Sequence, residues 1–411
     1  MDITTYLQPA AVPVQRRSIA IKARVPLYIY AVSLASLFTV IGILWDISWH
    51  KSIGRDKFLS PPHILIYLGA IFAGLFSGIQ VLVHTFRSGK EGKEGLVRVW
   101  GVFYSSLGAL FCIWGAIAML TSAPFDDWWH SAYGLDVTIL SPPHTLLGMG
   151  MLFLQFGACV SLSKYLNRAA VSGDTDLAKE EREPAGGRTG LLQFLFIVCA
   201  ASLLCMLYVM ASAYLRLHSM RSGLFYIVAS FITLLFMPAF GRALRMRWGM
   251  TAVALGYFLI AGSCNWILQL FPAEPKLGPI LTHTTHFQPS QFPLLIILPA
   301  IAMDWLLQRS KASDWTKAWW LSLTFVGVLL AVQYPLSGFL LESPIAHGWF
   351  FGSDSYYFGL PPDNPFRYKF QSSDIAAWPV LLEGLGIAGA LGFIMACISL
   401  RWGRWMQSVQ R

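Results

Sequence analysis

Two clusters of one aspartate and two histidines recur in the sequence with nearly the same spacing. Their members are Asp46, His50 and His63 in the first cluster and Asp126, His130 and His144 in the second. A carboxylate oxygen and two imidazole nitrogens form a ligand set that suits copper, iron or zinc and does not single out one of them. With three protein ligands, a coordination position stays open for a small molecule such as O₂. The clusters therefore predict two metal sites.

The spacing within each cluster lets its three side chains converge. Asp46 and His50 are four residues apart, so they share one face of a helix. Pro61 and Pro62 suit the first turn of the following helix, where a missing N–H costs nothing. His63 then lies in that opening turn, and the short loop between the helices folds it back toward His50. The second cluster predicts the same arrangement, with one more residue in its loop.

The residues around the clusters repeat as well. Each copy contains D-x-x-W-H, then G-x-D, then L-S-P-P-H, and the copies lie 80 residues apart. Because each copy joins two apolar segments, the pattern indicates an internal duplication of a helical hairpin. The competing interpretation is that these residues cap helices at a membrane interface, where tryptophans such as Trp49 and Trp129 are common. Two matching copies favour the metal function, because ionisable groups in membrane segments are usually functional.

Further candidate ligands are less clearly patterned. Asp127 is an alternative carboxylate for the second cluster, displaced by about 100° around the helix. His283 and His286 are three residues apart, and His347 precedes a Leu-Pro-Pro-Asp sequence. These histidines could belong to degenerate further copies of the repeat, or their spacing could be due to chance, and both explanations are open. We include His283 and His286 as candidate metal ligands and leave open whether His347 joins them.

The elements that hold these clusters are predicted from hydrophobicity. The chain has 411 residues, of which 55% are hydrophobic and only 12% are charged, whereas soluble domains are about 25% charged. Apolar blocks of ~20 residues can cross a bilayer as helices. We predict an all-α, polytopic transmembrane bundle with about ten spans. They lie at about 26–48, 61–85, 98–121, 141–164, 189–213, 222–241, 248–270, 291–308, 317–341 and 376–400.

Basic residues give this bundle an orientation. With the N-terminus on the cytoplasmic side, 22 of the 30 lysines and arginines fall in cytoplasmic segments and 8 on the outer side. This bias follows the positive-inside rule, so both termini are predicted to be cytoplasmic and both clusters to face outward. We expect a bacterial inner membrane protein with its metal motifs on the periplasmic side. The net charge of +9 has the same explanation, and no nucleic-acid partner is predicted.

Composition also divides the chain into four parts. Residues 1–25 form a predicted cytoplasmic N-terminal segment, and 26–164 form a four-helix transmembrane unit that carries both clusters. The acidic stretch 165–188, which contains Gly and Pro, is typical of a solvated cytoplasmic linker. The remaining six spans form a second transmembrane unit at 189–411.

Over residues 46–144 the sequence resembles the C subunit of the copper membrane monooxygenases, the family of the particulate methane and ammonia monooxygenases. In that subunit an Asp/His/His copper site is followed, one hairpin later, by an Asn/His/His copper site, with ligand spacings similar to those here. The W-H and S-P-P-H contexts of His50 and His63 also resemble its first site. The chain departs from the family in having Asp126 in place of the asparagine, in its greater length, and in containing no soluble copper-binding domain.

The resemblance implies a copper-dependent membrane monooxygenase, with iron or zinc as alternative metals. Its substrate would be an apolar small molecule that arrives through the lipid bilayer, and a quinol or another donor would supply electrons. The family works as a three-subunit complex, so a homo- or hetero-oligomer is expected. Two alternative functions remain open at this point: metal transport or handling in a membrane, and a structural subunit of a membrane complex.

Overall fold

A computed structural model describes residues 25–54, 57–93, 95–134, 141–173, 185–276, 283–352 and 363–410. Within these ranges, nine helices are long and apolar enough to cross a membrane. α1, α5, α6 and α7, bounded below, are the most buried of them, so the core of the bundle lies along these four. The protein is therefore a multi-pass helical membrane protein, as its hydrophobicity predicts.

The nine long helices of the described residues correspond in order to nine of the ten predicted spans. In chain order they are α1 (Leu27–Ser52), α2 (Pro61–Phe86), α3 (Lys90–Lys93), β1 (Val97–Val99), β2 (Phe103–Ser105), α4 (Leu107–Tyr133), α5 (Pro142–Gly173), α6 (Ala185–Met210), α7 (Gly223–Leu244), α8 (Gly249–Leu268), α9 (Ile297–Arg309), α10 (Asp314–Glu342) and α11 (Trp378–Ser408). Short 3₁₀ turns at Leu217–Arg221 and Pro344–His347 lie between the helices.

The start of the third span differs from the prediction. The span predicted at 98–121 becomes helical only at Leu107, because β1 and β2 form an antiparallel hairpin just before it. At the tip of the hairpin, Trp100 and Gly101 have φ angles of 49° and 72°. These left-handed values are those of a type I′ turn, which matches the twist of paired strands.

The predicted linker at 165–188 is partly helical. α5 continues through Gly173, and α6 already begins at Ala185. The acidic residues between these two helices lie outside the described residues, as does the N-terminal segment up to residue 24. Hydrophobicity places the apolar part of a helix correctly but says little about how far the helix extends beyond the membrane.

The eighth predicted span, 291–308, is not one continuous helix. α9 has 13 residues, which corresponds to about 20 Å of helix, whereas the hydrocarbon core is about 30 Å thick. The residues before it, 283–296, follow an irregular course instead of a helical one. This segment therefore combines non-helical backbone with a short helix, unlike the nine continuous helical spans of the described chain.

Each cluster lies where the two helices of a hairpin meet. α1 packs against α2, and α4 packs against α5. A Cβ atom at Gly115 would lie 2.6 Å from the Gly150 carbonyl oxygen, and one at Gly157 would lie 2.7 Å from the Gly108 carbonyl oxygen. Small residues at such crossings let two membrane helices pack backbone to backbone. This contact fixes the position of α4 relative to α5, and hence of the residues at their joined ends.

Candidate metal centre

Asp46 lies between two imidazoles at the C-terminal end of α1. Its Oδ1 is 3.2 Å from Nε2 of His63, and its Oδ2 is 3.7 Å from Nε2 of His50. The helix continues to Ser52, beyond the predicted end of the first span, and keeps Asp46 and His50 on one face. The side chain of Asp46 is only 13% exposed. A carboxylate in such a place needs a positive or hydrogen-bonding partner, because burying an uncompensated charge is costly.

Asp126 occupies the same position between the two histidines of the second cluster. Its Oδ2 is 3.5 Å from Nε2 of His130, and its Oδ1 is 3.5 Å from Nε2 of His144. One ligand atom from each of the three residues lies within 4.8 Å of the others. That separation suits a single ion, since metal–ligand bonds to imidazole and carboxylate are about 2.0–2.2 Å long. In the first cluster both histidines contact the carboxylate of Asp46, but among the described residues only the second cluster has three ligand atoms at this mutual separation.

A backbone hydrogen bond orients one of these imidazoles. Nδ1 of His130 is 3.1 Å from the carbonyl oxygen of Gly134. Because a carbonyl can only accept, Nδ1 carries the proton in this contact, which leaves Nε2 with the free lone pair in the neutral ring. Ligating histidines in metal sites are held by the same kind of outer contact. The ring of His130 is therefore prepared to bind an ion through the nitrogen that faces Asp126.

The local structure around the two clusters is repeated along with the residues. Gly54 and Gly134 follow their histidines by four positions and have φ angles of 102° and 85°. Such left-handed values favour glycine, which explains the repeated glycine of the motif. Gly134 is the C-cap of α4, whereas Gly54 lies one residue beyond Ile53, the C-cap of α1. Ser60 precedes α2, and Ser141 precedes α5, where its Oγ accepts from the backbone N–H of His144 at 3.4 Å. The positive φ of the repeated glycine is thus shared by both copies, whereas the serine before the second helix of each hairpin accepts from different backbone groups, Lys57 N–H for Ser60 and His144 N–H for Ser141.

The other candidate ligands lie apart from these contacts. The side chain of Asp127 is exposed. The carboxylate between the two histidines is that of Asp126. His283 and His286 are both exposed, and Nδ1 of His286 is 3.0 Å from Oγ1 of Thr285. Among the residues that the structure describes, neither histidine belongs to the three-ligand group of the second cluster. A metal role for these two stays a prediction.

His347 has a packing environment of its own. Its Nε2 donates to the carbonyl oxygen of Leu341 at 3.1 Å, and its ring stacks on Tyr368 with centroids 4.1 Å apart. These contacts hold the 3₁₀ turn after α10 in place. The hydrogen bond to Leu341 and the stacking on Tyr368 are sufficient to explain the position of the His347 ring.

Aromatic side chains surround both clusters. Trp49 contacts Phe287, which comes from the irregular segment before α9, with ring centroids 6.2 Å apart. In the second cluster Trp129 lies 4.5 Å from Tyr133. The contact with Phe287 carries no signal in the sequence, because it joins residues more than 200 positions apart.

Together, the helical bundle and the two clusters define a class: a multi-pass membrane protein with a candidate Asp/His/His metal site. No family model, no characterised protein and no solved structure matches this chain. The donor set itself fits a borderline transition metal, since one carboxylate oxygen and two imidazole nitrogens suit copper, iron and zinc alike.

Proposed function

We propose that this protein is a membrane-embedded, metal-dependent oxygenase that acts on an apolar small molecule. The observation that carries the proposal is the duplicated geometry. In each cluster a carboxylate lies 3.2–3.7 Å from two imidazole Nε2 atoms. Copper is the proposed metal because of the resemblance over residues 46–144, and iron or zinc would use the same ligands.

Each cluster supplies the charge that such an ion needs. Its carboxylate carries one negative charge, and two neutral imidazoles add nitrogen donors without adding charge. A copper or iron ion, when bound, would supply the redox chemistry of O₂ activation, with electrons from a quinol or another donor. The protein's own contribution is to hold the ligand atoms in place. His130 does this through its contact with Gly134, and Asp126 through its position between two rings.

The surroundings of the second cluster favour an apolar substrate. Trp128, which lies two residues from Asp126, is 55% exposed, and Tyr133 is 67% exposed. Exposed aromatic side chains at the end of a membrane helix lie at the lipid interface. An apolar molecule dissolved in the bilayer would reach the cluster past these rings.

The protein is proposed to lie in a bacterial inner membrane with both termini cytoplasmic and both clusters periplasmic. The support is the excess of lysine and arginine in the loops assigned to the cytoplasm. Partner subunits, either further copies or other chains, are part of the proposal through the family resemblance alone.

Metal transport, the first alternative, has less support in the interior of the bundle. It requires a polar path inward, for which Asp304 and Glu383 are the clearest acidic residues within the spans, and Glu383 is exposed. Asp304 lies within the eighth span. Its Oδ2, however, accepts from the backbone N–H and Oγ1 of Thr251 at 2.8 and 2.7 Å. These bonds satisfy the free donors at the start of α8, so Asp304 caps a helix. A structural subunit with bound metal remains the second alternative.

The test is metal analysis of the purified protein after growth with added copper or iron. We expect about two ions per chain in the wild type and about one in either Asp126→Leu or His63→Ala, because each change removes a ligand from one cluster. Asp127→Leu is the matched control, since it removes the adjacent exposed carboxylate and should keep both ions. His283→Ala and His286→Ala show whether these residues contribute a ligand.

Metal-free wild-type protein after gentle reconstitution would refute the proposal. If Asp127→Leu loses as much metal as Asp126→Leu, the ion is not bound by Asp126 in the second cluster. If both ions are present, oxidation of a short hydrocarbon with a quinol as donor distinguishes the oxygenase from the structural alternative.

A further inference from the structure

Arg221 lies at the end of the bundle that carries the two clusters, as the last residue of the 3₁₀ turn between α6 and α7. Two aromatic rings from different elements lie against its guanidinium group. The guanidinium carbon is 3.9 Å from the centre of the Phe370 ring, in the segment before α11, and 5.3 Å from the centre of the Tyr334 ring on α10. Attraction between a cation and the face of an aromatic ring stabilises such contacts. The side chain is therefore held in place by two elements.

The aromatic contacts leave the hydrogen-bonding groups of Arg221 unused. A guanidinium has five N–H donors, all in the plane of the group, so a ring on its face does not satisfy them. Among the described residues, none accepts a hydrogen bond from this guanidinium. No carboxylate of these residues forms an ion pair with it either. A permanently charged group that is partly buried without an anion is costly, so Arg221 is suited to bind one.

The two terminal nitrogens are the part of the group that a ligand can reach. Nε is enclosed, whereas Nη1 and Nη2 are not, and the residue as a whole is partly exposed. Nη2 lies beside Gly338 on α10, where a Cβ atom would be 2.6 Å from it. The missing side chain of Gly338 thus provides the space that Nη2 occupies. Two N–H groups fixed in one plane match two oxygen atoms of a phosphate or a carboxylate.

Lipid-facing side chains lie close to this guanidinium. The Tyr334 ring, which contacts Arg221, also stacks on Trp378 at the start of α11, with ring centroids 6.0 Å apart. Trp378 is 64% exposed, and Leu382, one helical turn further along the same face, is 60% exposed. Exposed tryptophans at the ends of membrane helices lie at the level of the lipid headgroups. One aromatic ring therefore separates the cation of Arg221 from the lipid at that level.

The position of Arg221 has no explanation in the charge bias of the loops. That bias concentrates lysine and arginine at the opposite end of the bundle, where they are retained in the cytoplasm. A free phosphate or carboxylate would use the guanidinium but not the apolar surface beside it. A phospholipid uses both, because its phosphate is an anion and its acyl chains are apolar.

We propose that Arg221 binds the phosphate group of a phospholipid in the adjacent leaflet. Nη1 and Nη2 donate to two phosphate oxygens, and an acyl chain lies along Trp378 and Leu382. The site is separate from both clusters, which lie on α1, α2, α4 and α5.

The experiment is native mass spectrometry of the delipidated full-length protein in detergent, titrated with dioleoyl phosphatidylglycerol. We expect one lipid to bind to the wild type more tightly than all others. Arg221→Gln removes the charged donors and should weaken this binding by about tenfold to a hundredfold, the effect of losing charge-assisted hydrogen bonds. Arg216→Gln is the matched control, because it removes an exposed arginine at the same end of the bundle and should keep the affinity.

A second pair of variants leaves Arg221 in the chain, so the proposal can be tested even if Arg221→Gln does not fold. Gly338→Ala places a Cβ against Nη2, which should displace the guanidinium and weaken the binding of the same lipid. Gly327→Ala is its control, because the Cβ position of this glycine on α10 meets nothing within 4 Å.

Three results would overturn the proposal. Equal lipid affinities in Gly338→Ala and Gly327→Ala, or in Arg221→Gln and Arg216→Gln, would show that the guanidinium does not contact the lipid. Equally tight binding of dioleoylglycerol, which lacks the phosphate, would leave only the apolar surface as the cause. Binding of inorganic phosphate through Arg221 as tightly as the lipid would assign the site to a free anion. Because the titration needs no metal, its outcome is independent of the metal analysis of the two clusters.

Discussion

At the scale of single residues, the second cluster depends on a glycine that carries no ligand. Gly134 has φ 85° and ψ −167°, a conformation that is essentially restricted to glycine. Its carbonyl oxygen receives the Nδ1 proton of His130. A residue with a side chain would have to leave this conformation, and the carbonyl would then move away from the ring.

Gly134→Ala is therefore expected to weaken metal binding at the second cluster by about tenfold to a hundredfold, the effect typical of losing an outer contact to a ligating histidine. The backbone strain itself is about 1–3 kcal/mol. The measurement is a competition titration with a chelator of known affinity. Gly386→Ala, at a helical glycine of α11 with open space around its Cβ position, is the control. Equal affinities in both variants would show that the contact has no role in binding.

At the scale of elements, the packing of α4 against α5 positions the second cluster. α4 supplies Asp126 and His130, and α5 supplies His144, so the ligand set is complete only when both helices keep their relative position. A Cβ at Gly115 would lie 2.6 Å from the backbone nitrogen of Leu154, which cannot move without shifting α5. The first cluster, on α1 and α2, does not depend on this crossing.

Gly115→Val is expected to destabilise the protein by about 1–3 kcal/mol through overpacking and to abolish metal binding at the second cluster. Thermal unfolding followed by tryptophan fluorescence and metal content per chain would measure the two effects. Gly78→Val is the matched control, because the Cβ position of Gly78 on α2 meets nothing within 4 Å. Loss of both ions in Gly115→Val would indicate general unfolding instead of a shift between two helices.

At the scale of the whole molecule, the prediction concerns orientation in the membrane. Basic residues are concentrated in the loops at the end of the bundle opposite the clusters, where Arg242 and Arg404 form ion pairs with Asp314 at 2.9 and 3.2 Å. Partly exposed pairs like these contribute about 1 kcal/mol or less to stability. Their greater consequence is for topology, because loops rich in lysine and arginine are retained in the cytoplasm.

We expect a green fluorescent protein fused to the C-terminus to fluoresce, and alkaline phosphatase fused at the same position to be inactive. Fluorescent protein folds in the cytoplasm, whereas the phosphatase needs the oxidising outer compartment for its disulfides. An active phosphatase fusion would contradict the cytoplasmic C-terminus and would also place the two clusters on the cytoplasmic side.

Both clusters were predictable because their information is local. Asp46 and His50 lie one helical turn apart, and the Pro-Pro pair before His63 marks the start of the next helix. Convergence of the three side chains then follows from a short loop between two antiparallel helices. The orienting bond from His130 to Gly134 is equally local, yet it depends on a ring rotamer and a glycine conformation, which the residue types alone leave open.

The sequence by itself determined the membrane class and the approximate positions of nine helices. It also located, in each cluster, three residues that lie close together in the structure, whereas their role as metal ligands stays a prediction. All of these depend on hydrophobicity or on spacing over fewer than about twenty residues, for which helix geometry is sufficient. The tertiary structure alone decided the interrupted eighth span, the aromatic surroundings of Arg221 and the contact of Trp49 with Phe287. An apolar stretch satisfies the hydrophobic criterion whether or not it is helical. Only neighbours distant in sequence, such as Asn265, Tyr257 and Gln333, supply the hydrogen bonds that let its backbone leave the helix.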